Sequence, residues 1–366
     1  QLVRDITTAL HTAGADTIPL TLDPTTDTPT LTTHLTHLAN HPQGLTGILL
    51  IPTPHNPHPH NPTHNPALDP ATATTLTTIQ ALTNTTLTTR LWITTRQAVT
   101  THPTETPNPY TARIWGLGQT AALEHPHHWG GLIDLPPHPT PHHLQQLTTH
   151  LTTNHHPHED QIAIRTNTTY ARRLTPTTPT TTATPWTPPQ GTILITGGTG
   201  ALGTHIARWL AHKGATHLIL TSRQGPNAPG ATQLHHELTQ LGTHTTITPC
   251  DLTNPEQVHN LIHNTTTNHP PLSAIFHTAG TPQTTPLTQL TPTQATHILN
   301  AKTTGAQLLH HHTTHTPLDT FVLFSSAAAT WGSSGQSLYA AANAHLDALA
   351  QQRHTQGQPT TSIAWG

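Results

Sequence analysis

The chain has 366 residues, room for two domains of ordinary size, with a net charge of −3, a pI near 7.0 and only 7% charged residues. That balance leaves no basic patch for nucleic acid and no like-charge tail. One cysteine, Cys250, excludes an intrachain disulfide and a cysteine-based zinc site, and without a run of about 18 apolar residues there is no membrane-spanning helix. Thr, His and Pro fill positions that charged residues usually take, yet apolar strands and amphipathic segments recur. No charged-then-apolar leader opens the chain, which fits a cytoplasmic protein. The lack of Met and the start at Gln1 read as an excised piece of a longer polypeptide.

Residues 1–173 alternate between strand and helix patterns. The expected strands are 17–22, 47–52, 91–95, 131–135 and 161–165. The expected helices are 2–13, 31–38, 73–85, 112–123 and 143–152. Such alternation predicts a parallel sheet with covering helices. No glycine-rich loop follows any of these strands, and a Pro-rich tract after residue 52 forbids a helix there. This half is expected to be a nucleotide fold that binds no nucleotide. His55, His58, His60 and His64 lie in that tract, but with 36 histidines along the chain such clusters arise by chance, and no metal is assigned. Residues 174–190 are a Thr/Pro-rich linker and the expected boundary.

The second part, 191–366, opens with a buried strand, 192–196, then Gly198-x-Gly200-x-x-Gly203, then a helix with Leu202, Ile206, Trp209 and Leu210 on one expected face. Glycines between strand and helix let the backbone approach a pyrophosphate at a helix N-terminus. The next strand, 217–221, ends at Ser222-Arg223. An arginine at this point, about 20 residues after the glycines, accommodates the 2′-phosphate of NADP, so NADPH is the expected cofactor. A helix with Leu234, Leu238 and Leu241 in register follows. Strand 245–249 reaches Asp251, read as facing the adenine or capping its loop. Asn254-Pro255 starts a helix. Strand 272–276 ends in His277-Thr278-Ala279-Gly280, whose small residues let the backbone lie close to a cofactor. Thr291-Pro292 starts another helix, with Lys302 expected in its C-terminal part.

An apolar strand, 321–324, then leads through a Ser/Gly-rich loop into an Ala-rich helix. Ser326 closes the strand. Tyr339 falls in the first turn of the helix, and Asn343, at i+4, shares its face. A hydroxyl, a phenol and an amide at a strand end suit a carbonyl oxygen that must gain a proton. Lys302, one of two lysines in the chain, is expected beside Tyr339, where a cation makes a phenol a readier proton donor.

On Gly198–Gly203, Lys302, Ser326, Tyr339 and Asn343, the chain resembles the ketoreductase domain of modular type I polyketide synthases, within the short-chain dehydrogenase/reductase superfamily. In the first half, Ile114-Trp115-Gly116-Leu117-Gly118, Ala122-Leu123-Glu124-His125-Pro126, Trp129-Gly130-Gly131-Leu132 and Glu159-Asp160-Gln161 are similar to that family's structural subdomain. Free-standing relatives carry a lysine four residues after the tyrosine; here Asn343 stands there and the lysine sits at 302, as in synthase domains. The resemblance implies an α/β fold of two Rossmann-like, doubly wound parallel-sheet subdomains, the first truncated and non-binding, the second catalytic. It implies that Tyr339 protonates a β-carbonyl oxygen, Ser326 holds that oxygen, Lys302 tunes the tyrosine and orients the cofactor ribose, and Asn343 orders the site. Cofactor contacts are expected from Thr196, Gly198, Thr199, Gly200, Ala201, Leu202 and Gly203; from Ser222, Arg223, Asp251 and Leu252; and from His277, Thr278, Ala279 and Gly280. The implied partners are an acyl carrier protein with its phosphopantetheine-tethered chain and the other domains of a module. Where one stereochemical type carries Leu-Asp-Asp, this chain reads Pro282-Gln283-Thr284. Trp331 is present and Gln336 replaces a histidine, which implies an A-type domain making an L-hydroxy product. Family members continue beyond Trp365-Gly366 with a lid, and the first strand of the structural subdomain is expected to be absent. The competing readings are a free-standing ketone reductase and a non-reducing structural or epimerising domain.

Overall fold

The computed structural model describes residues 1–23, 25–40, 44–53, 67–152, 159–166, 168–177 and 186–366. The histidine tract with His55, His58, His60 and His64 lies outside them, as does the middle of the linker. The first half contains helices α1 (Leu2–Thr12), α2 (Thr28–Ala39), α3 (Pro70–Thr83), α4 (Pro109–Glu124) and α5 (Pro141–Thr152). Its strands are β1 (Gly47–Leu50), β2 (Arg90–Arg96), β3 (Trp129–Leu135), β4 (Gln161–Arg165) and β5 (Thr168–Ala171). The second half has strands β6 (Thr192–Thr196), β7 (His217–Ser222), β8 (His244–Pro249), β9 (Leu272–His277), β10 (Thr320–Ser326) and β11 (Thr361–Trp365). Its helices are α6 (Ala201–His212), α7 (Ala231–Gln240), α8 (Pro255–Asn268), α9 (Pro292–Leu299), α10 (Gly305–His312), α11 (Ala328–Trp331) and α12 (Ser337–Thr355). Among the described residues no helix is long and apolar enough to cross a membrane.

The unusual composition serves these helices. Proline occupies an early position of α2, α3, α4, α8 and α9, where its missing N–H costs nothing. Side chains of Asp27, Asp69, Asn108 and Asn254 accept from the first-turn amides, and Thr291 with Gln294 makes a capping box. Helix threonines satisfy their hydroxyls by bonding back to the carbonyl four residues earlier, as Thr75, Thr265 and Thr303 do.

The second sheet is wholly parallel in the order β11-β10-β9-β6-β7-β8. Alternation along β6 sends Ile193 and Ile195 toward α6 and α7, and Leu194 toward α8, α10 and α12. The strand order reverses between β6 and β9, which opens a crevice at their C-terminal ends. Among the described strands the first sheet runs β1-β2-β3-β4-β5 without such a reversal. Leu91, Ile93 and Leu132 pack on one face with α3 and α4; Ile133, Leu135 and Ile162 pack on the other with α1 and α5.

The first half departs from expectation twice. Residues 17–22 form no strand, because Pro19 removes a ladder donor and, among the described residues, no neighbour pairs with the segment, leaving Ile18 and Leu20 exposed. β5, antiparallel to β4, was not anticipated, since its Thr-Thr-Tyr-Ala run is exposed along its length and carries no apolar period. In the second half, α6 buries Gly203, Ala207, Leu210 and Ala211, whereas Leu202 and Trp209 are exposed. Trp209 instead stacks on Trp186, which ties the end of the linker to α6. Leu241 ends α7 exposed.

One apolar cluster spans the two halves. Leu287, Leu290, Leu299, Leu338 and Ala341 join Leu76, Ile79, Ile114 and Leu117 in a single apolar cluster. α4 crosses α12 so closely that a Cβ on Gly116 would lie 2.5 Å from the Ala340 carbonyl oxygen. Beside that crossing the fully buried Arg113 pairs with Asp69 at 3.2 Å and donates to His345 Nδ1 on α12.

Candidate active site

The C-terminal ends of β6, β7, β8, β9 and β10 build the site. After β6, Gly197 turns at φ +67°, Gly198 donates to the Thr221 carbonyl of β7, and Gly200 starts α6 without a side-chain cap. A Cβ on Gly203 would lie 2.2 Å from the Gly197 oxygen, so only glycine closes this turn. The result is a cradle of backbone amides at a helix N-terminus, with Thr199, Ala201 and the exposed Leu202 at its lip. Arg223 is exposed just past β7.

Ser222 and Asp251 serve their own loops. Ser222 Oγ accepts from Gly225 N, and Asp251 Oδ1 accepts from the amide and hydroxyl of Thr253. Thr196, Leu252 and His277 are buried, with Leu252 in the core beneath the sheet. Because these side chains are buried, contact with a ligand would fall to their backbone. Thr278 donates to the Thr196 carbonyl through both its amide and its hydroxyl, holding the loop that ends in Ala279 and Gly280 against Gly197.

His277 has a second task. Its Nε2 lies 2.9 Å from the Lys302 carbonyl oxygen, which can only accept, so Nε2 carries the proton and Nδ1 accepts from Thr196 Oγ1. Burial above all, with the Lys302 ammonium adding to it, lowers this imidazole to about 4 and keeps it neutral. The carbonyl it holds belongs to a π-helical turn, Asn300–Thr304, inserted between α9 and α10. Lys302 sits in that turn rather than at the end of an α-helix, with its side chain buried. The Lys302 ammonium donates to Phe324 O and to Asn343 Oδ1, each at 2.7 Å, and lies 5.1 Å from the centre of the Tyr339 ring. A Cβ on Gly280 would meet Lys302 Cε at 2.9 Å. Burial brings Lys302 down to about 8, with Asp347 opposing the shift. Asn343 completes the arrangement by donating from Nδ2 to the Tyr339 carbonyl.

The structure thus brings Lys302, Tyr339 and Asn343 together. Ser326 ends β10, two residues beyond the carbonyl that holds Lys302, and its Oγ accepts from Ala328 N. Trp331 ends α11, 58% exposed, and Gln336 stands at the N-cap of α12. Two further residues belong to this region. Gln283 Oε1 accepts from the amides of Leu338 and Tyr339, and Glu124 of α4 accepts from Leu287 N and Gly335 N. Neither carries a local signal, since each acts on backbone far away in sequence. Among the described residues no group of His, Cys, Asp or Glu could hold a metal ion.

Comparison with known proteins identifies the family to which this fold belongs. Residues 191–366 match the KR domain family, and residues 7–174 match the Rossmann fold domain of the polyketide synthase extender module SpnB. The chain is 48% identical over 291 residues to the pikromycin polyketide synthase component PikAIII of Streptomyces venezuelae, covering 79% of this chain and 18% of that protein. It is 43% identical over 276 residues to the erythronolide synthase EryA3 of Saccharopolyspora erythraea, covering 75% of this chain and 8% of that protein. Among solved structures, an A-type ketoreductase from a modular polyketide synthase superimposes with a TM-score of 0.88 at 39% identity, covering 98% of this chain and 75% of that one. A C2-type ketoreductase gives 0.87 at 36%, covering 99% and 78%, so the fold alone does not set the type. The chain belongs to the ketoreductase domains of modular polyketide synthases, oxidoreductases built from two Rossmann-like subdomains.

Proposed function

We propose that this domain uses NADPH to reduce the β-carbonyl of a polyketide chain held as a thioester on the phosphopantetheine of an acyl carrier protein. The observation that carries the reading is Lys302, held by Phe324 O and Asn343 Oδ1 and set against the Tyr339 ring. An ammonium has three donors, and these two partners leave the third for a ribose hydroxyl of the dinucleotide. The glycine cradle fits a pyrophosphate, and the exposed Arg223 fits a 2′-phosphate. When bound, the dinucleotide supplies the hydride for the β-carbon. Tyr339 donates the proton to the carbonyl oxygen, with the Lys302 ammonium set beside its ring, and Ser326 donates a hydrogen bond to the same oxygen. The helices of the first half hold the rim of the catalytic helix in place. The domain works alongside the other domains of its module in the cytoplasm.

Trp331 at the rim, with Gln336 before the tyrosine, supports an A-type domain that admits the thioester from one side and yields an L-hydroxy product. The test is turnover of a β-ketoacyl thioester, followed by chiral analysis. We expect NADPH consumption that Tyr339→Phe and Lys302→Ala each abolish, and an L-alcohol. Unchanged turnover in either variant removes the mechanism. A mostly D-alcohol removes the A-type reading, and cofactor binding without turnover favours a non-reducing domain.

A further inference from the structure

We infer that Gln283 is a positioning residue for Tyr339, supplying from a distant loop the N-terminal cap that α12 lacks. The inference rests on the proposed role of Tyr339. The first amides of a helix have no partner within it. In α12 these are Ser337, Leu338 and Tyr339, since the first intrahelical bond runs from Ala340 N to Gln336 O. Gln336 at the N-cap accepts none of them through its side chain. Gln283 Oε1 accepts from Leu338 N at 2.9 Å and Tyr339 N at 3.0 Å, filling both lone pairs of the amide oxygen.

The donor end of Gln283 is also committed, to Thr285 O at 2.8 Å and, more weakly, to Ser337 Oγ at 3.5 Å. The side chain is 3% exposed although it lies in a loop between β9 and α9. A buried amide satisfied at both ends fixes its surroundings. Here it fixes the backbone of the residue that carries the phenol. The approach to α12 is held independently, because Gly335 N donates to Glu124 at 2.7 Å. The ring of Tyr339 therefore takes its place over Lys302 from a helix end set by tertiary contacts. A shift of about 1 Å in a catalytic group can cost about 100-fold in rate.

Two variants test this. Gln283→Leu removes both donor and acceptor at nearly constant volume, whereas Gln283→Glu keeps the acceptor. We expect Gln283→Leu to lower kcat about 10- to 100-fold, with KM for NADPH within about twofold of the parent. Amide hydrogen exchange at Leu338 and Tyr339 should accelerate at least about tenfold, while that at Leu346 and Leu349 stays protected. Gln283→Glu, which keeps the acceptor but loses the donor to Thr285 O, should restore that protection and part of kcat. An unaltered kcat in Gln283→Leu overturns the inference, as do fast-exchanging Leu338 and Tyr339 amides in the parent or a Gln283→Glu variant as impaired as Gln283→Leu. A parent domain that reduces no β-ketoacyl thioester removes the proposed function and the catalytic role with it. An active parent with an unaffected leucine variant overturns this inference alone.

Discussion

Lys302 and Asn343 stand 41 residues apart in the chain, and the ammonium of one donates to the amide oxygen of the other at 2.7 Å. The contact joins a π-helical turn to α12 and sets the charge beside the Tyr339 ring. Because Asn343 is neutral, it orients the ammonium without offsetting the burial that lowers Lys302 to about 8.

That value fixes a pH dependence of opposite sign in activity and in stability. Turnover should decline as pH rises through about 8, where Lys302 loses its proton. The folded value lies below the unfolded one, so between about 8 and about 10.4 the unfolded chain binds more protons and this group's contribution to stability rises with pH. Asn343→Asp should move the alkaline limb of the rate profile upward by about one unit or more, since an adjacent carboxylate favours the charged amine. A limb that stays in place would show that Lys302 does not set it.

The glycine cradle has no room to spare. A Cβ on Gly203 would lie 2.2 Å from the Gly197 oxygen, whereas one on Gly47 meets nothing within 4 Å. Gly203→Ala should abolish the change in NADPH fluorescence on binding and cost about 1–3 kcal/mol of stability. Gly47→Ala should leave binding intact. Normal cofactor affinity in Gly203→Ala would place the dinucleotide elsewhere.

Arg113 and Asp69 form a pair with almost no exposure, at the crossing of α4 with α12. Removing one partner strands the other charge without water, so Arg113→Met should cost about 3–5 kcal/mol by urea denaturation. Asp69 also caps α3 and accepts from Thr72. Because the apolar cluster is continuous across the halves, both should melt in the same transition. A variant losing under about 1 kcal/mol would mean that the pair is solvated.

Acid should destabilise the fold before its carboxylates titrate. A guanidinium, of Arg113 and of Arg353, lies against Nδ1 of His345 and of His310 and disfavours a charge on either imidazole. Burial foremost lowers His310 and His277 to about 4 and His345 well below the usual value. A group lowered in the folded state contributes stability that is complete above about 6.5 and lost as pH falls toward about 4. Asp134 and Asp347, raised by burial, pull the other way, but burial also lowers His125, His143, His217 and His312, so the imidazoles outnumber them seven to two. Calorimetry should show the Tm falling steadily from pH 6.5 to pH 4.5; a flat profile would mean that these imidazoles stay neutral on unfolding or are hydrated when folded.

The amino-acid sequence alone determined what depends on neighbours along the chain. Strand periods, Asn-Pro and Thr-Pro helix starts, the glycine spacing and the Tyr339–Asn343 face follow from local rules and are visible without coordinates. It mis-stated residues 17–22, where apolar alternation looks like a strand but Pro19 and the lack of a pairing neighbour among the described residues decide otherwise. It mis-stated the buried face of α6, because Trp209 finds its apolar partner in Trp186 of the linker rather than in the core. Only the tertiary structure decided where Lys302 points, which amides Gln283 caps, and how Glu124 reaches the loop before Tyr339. Each of those contacts spans tens to hundreds of residues, and a hydrogen bond leaves no period in the sequence for its partner to be read from.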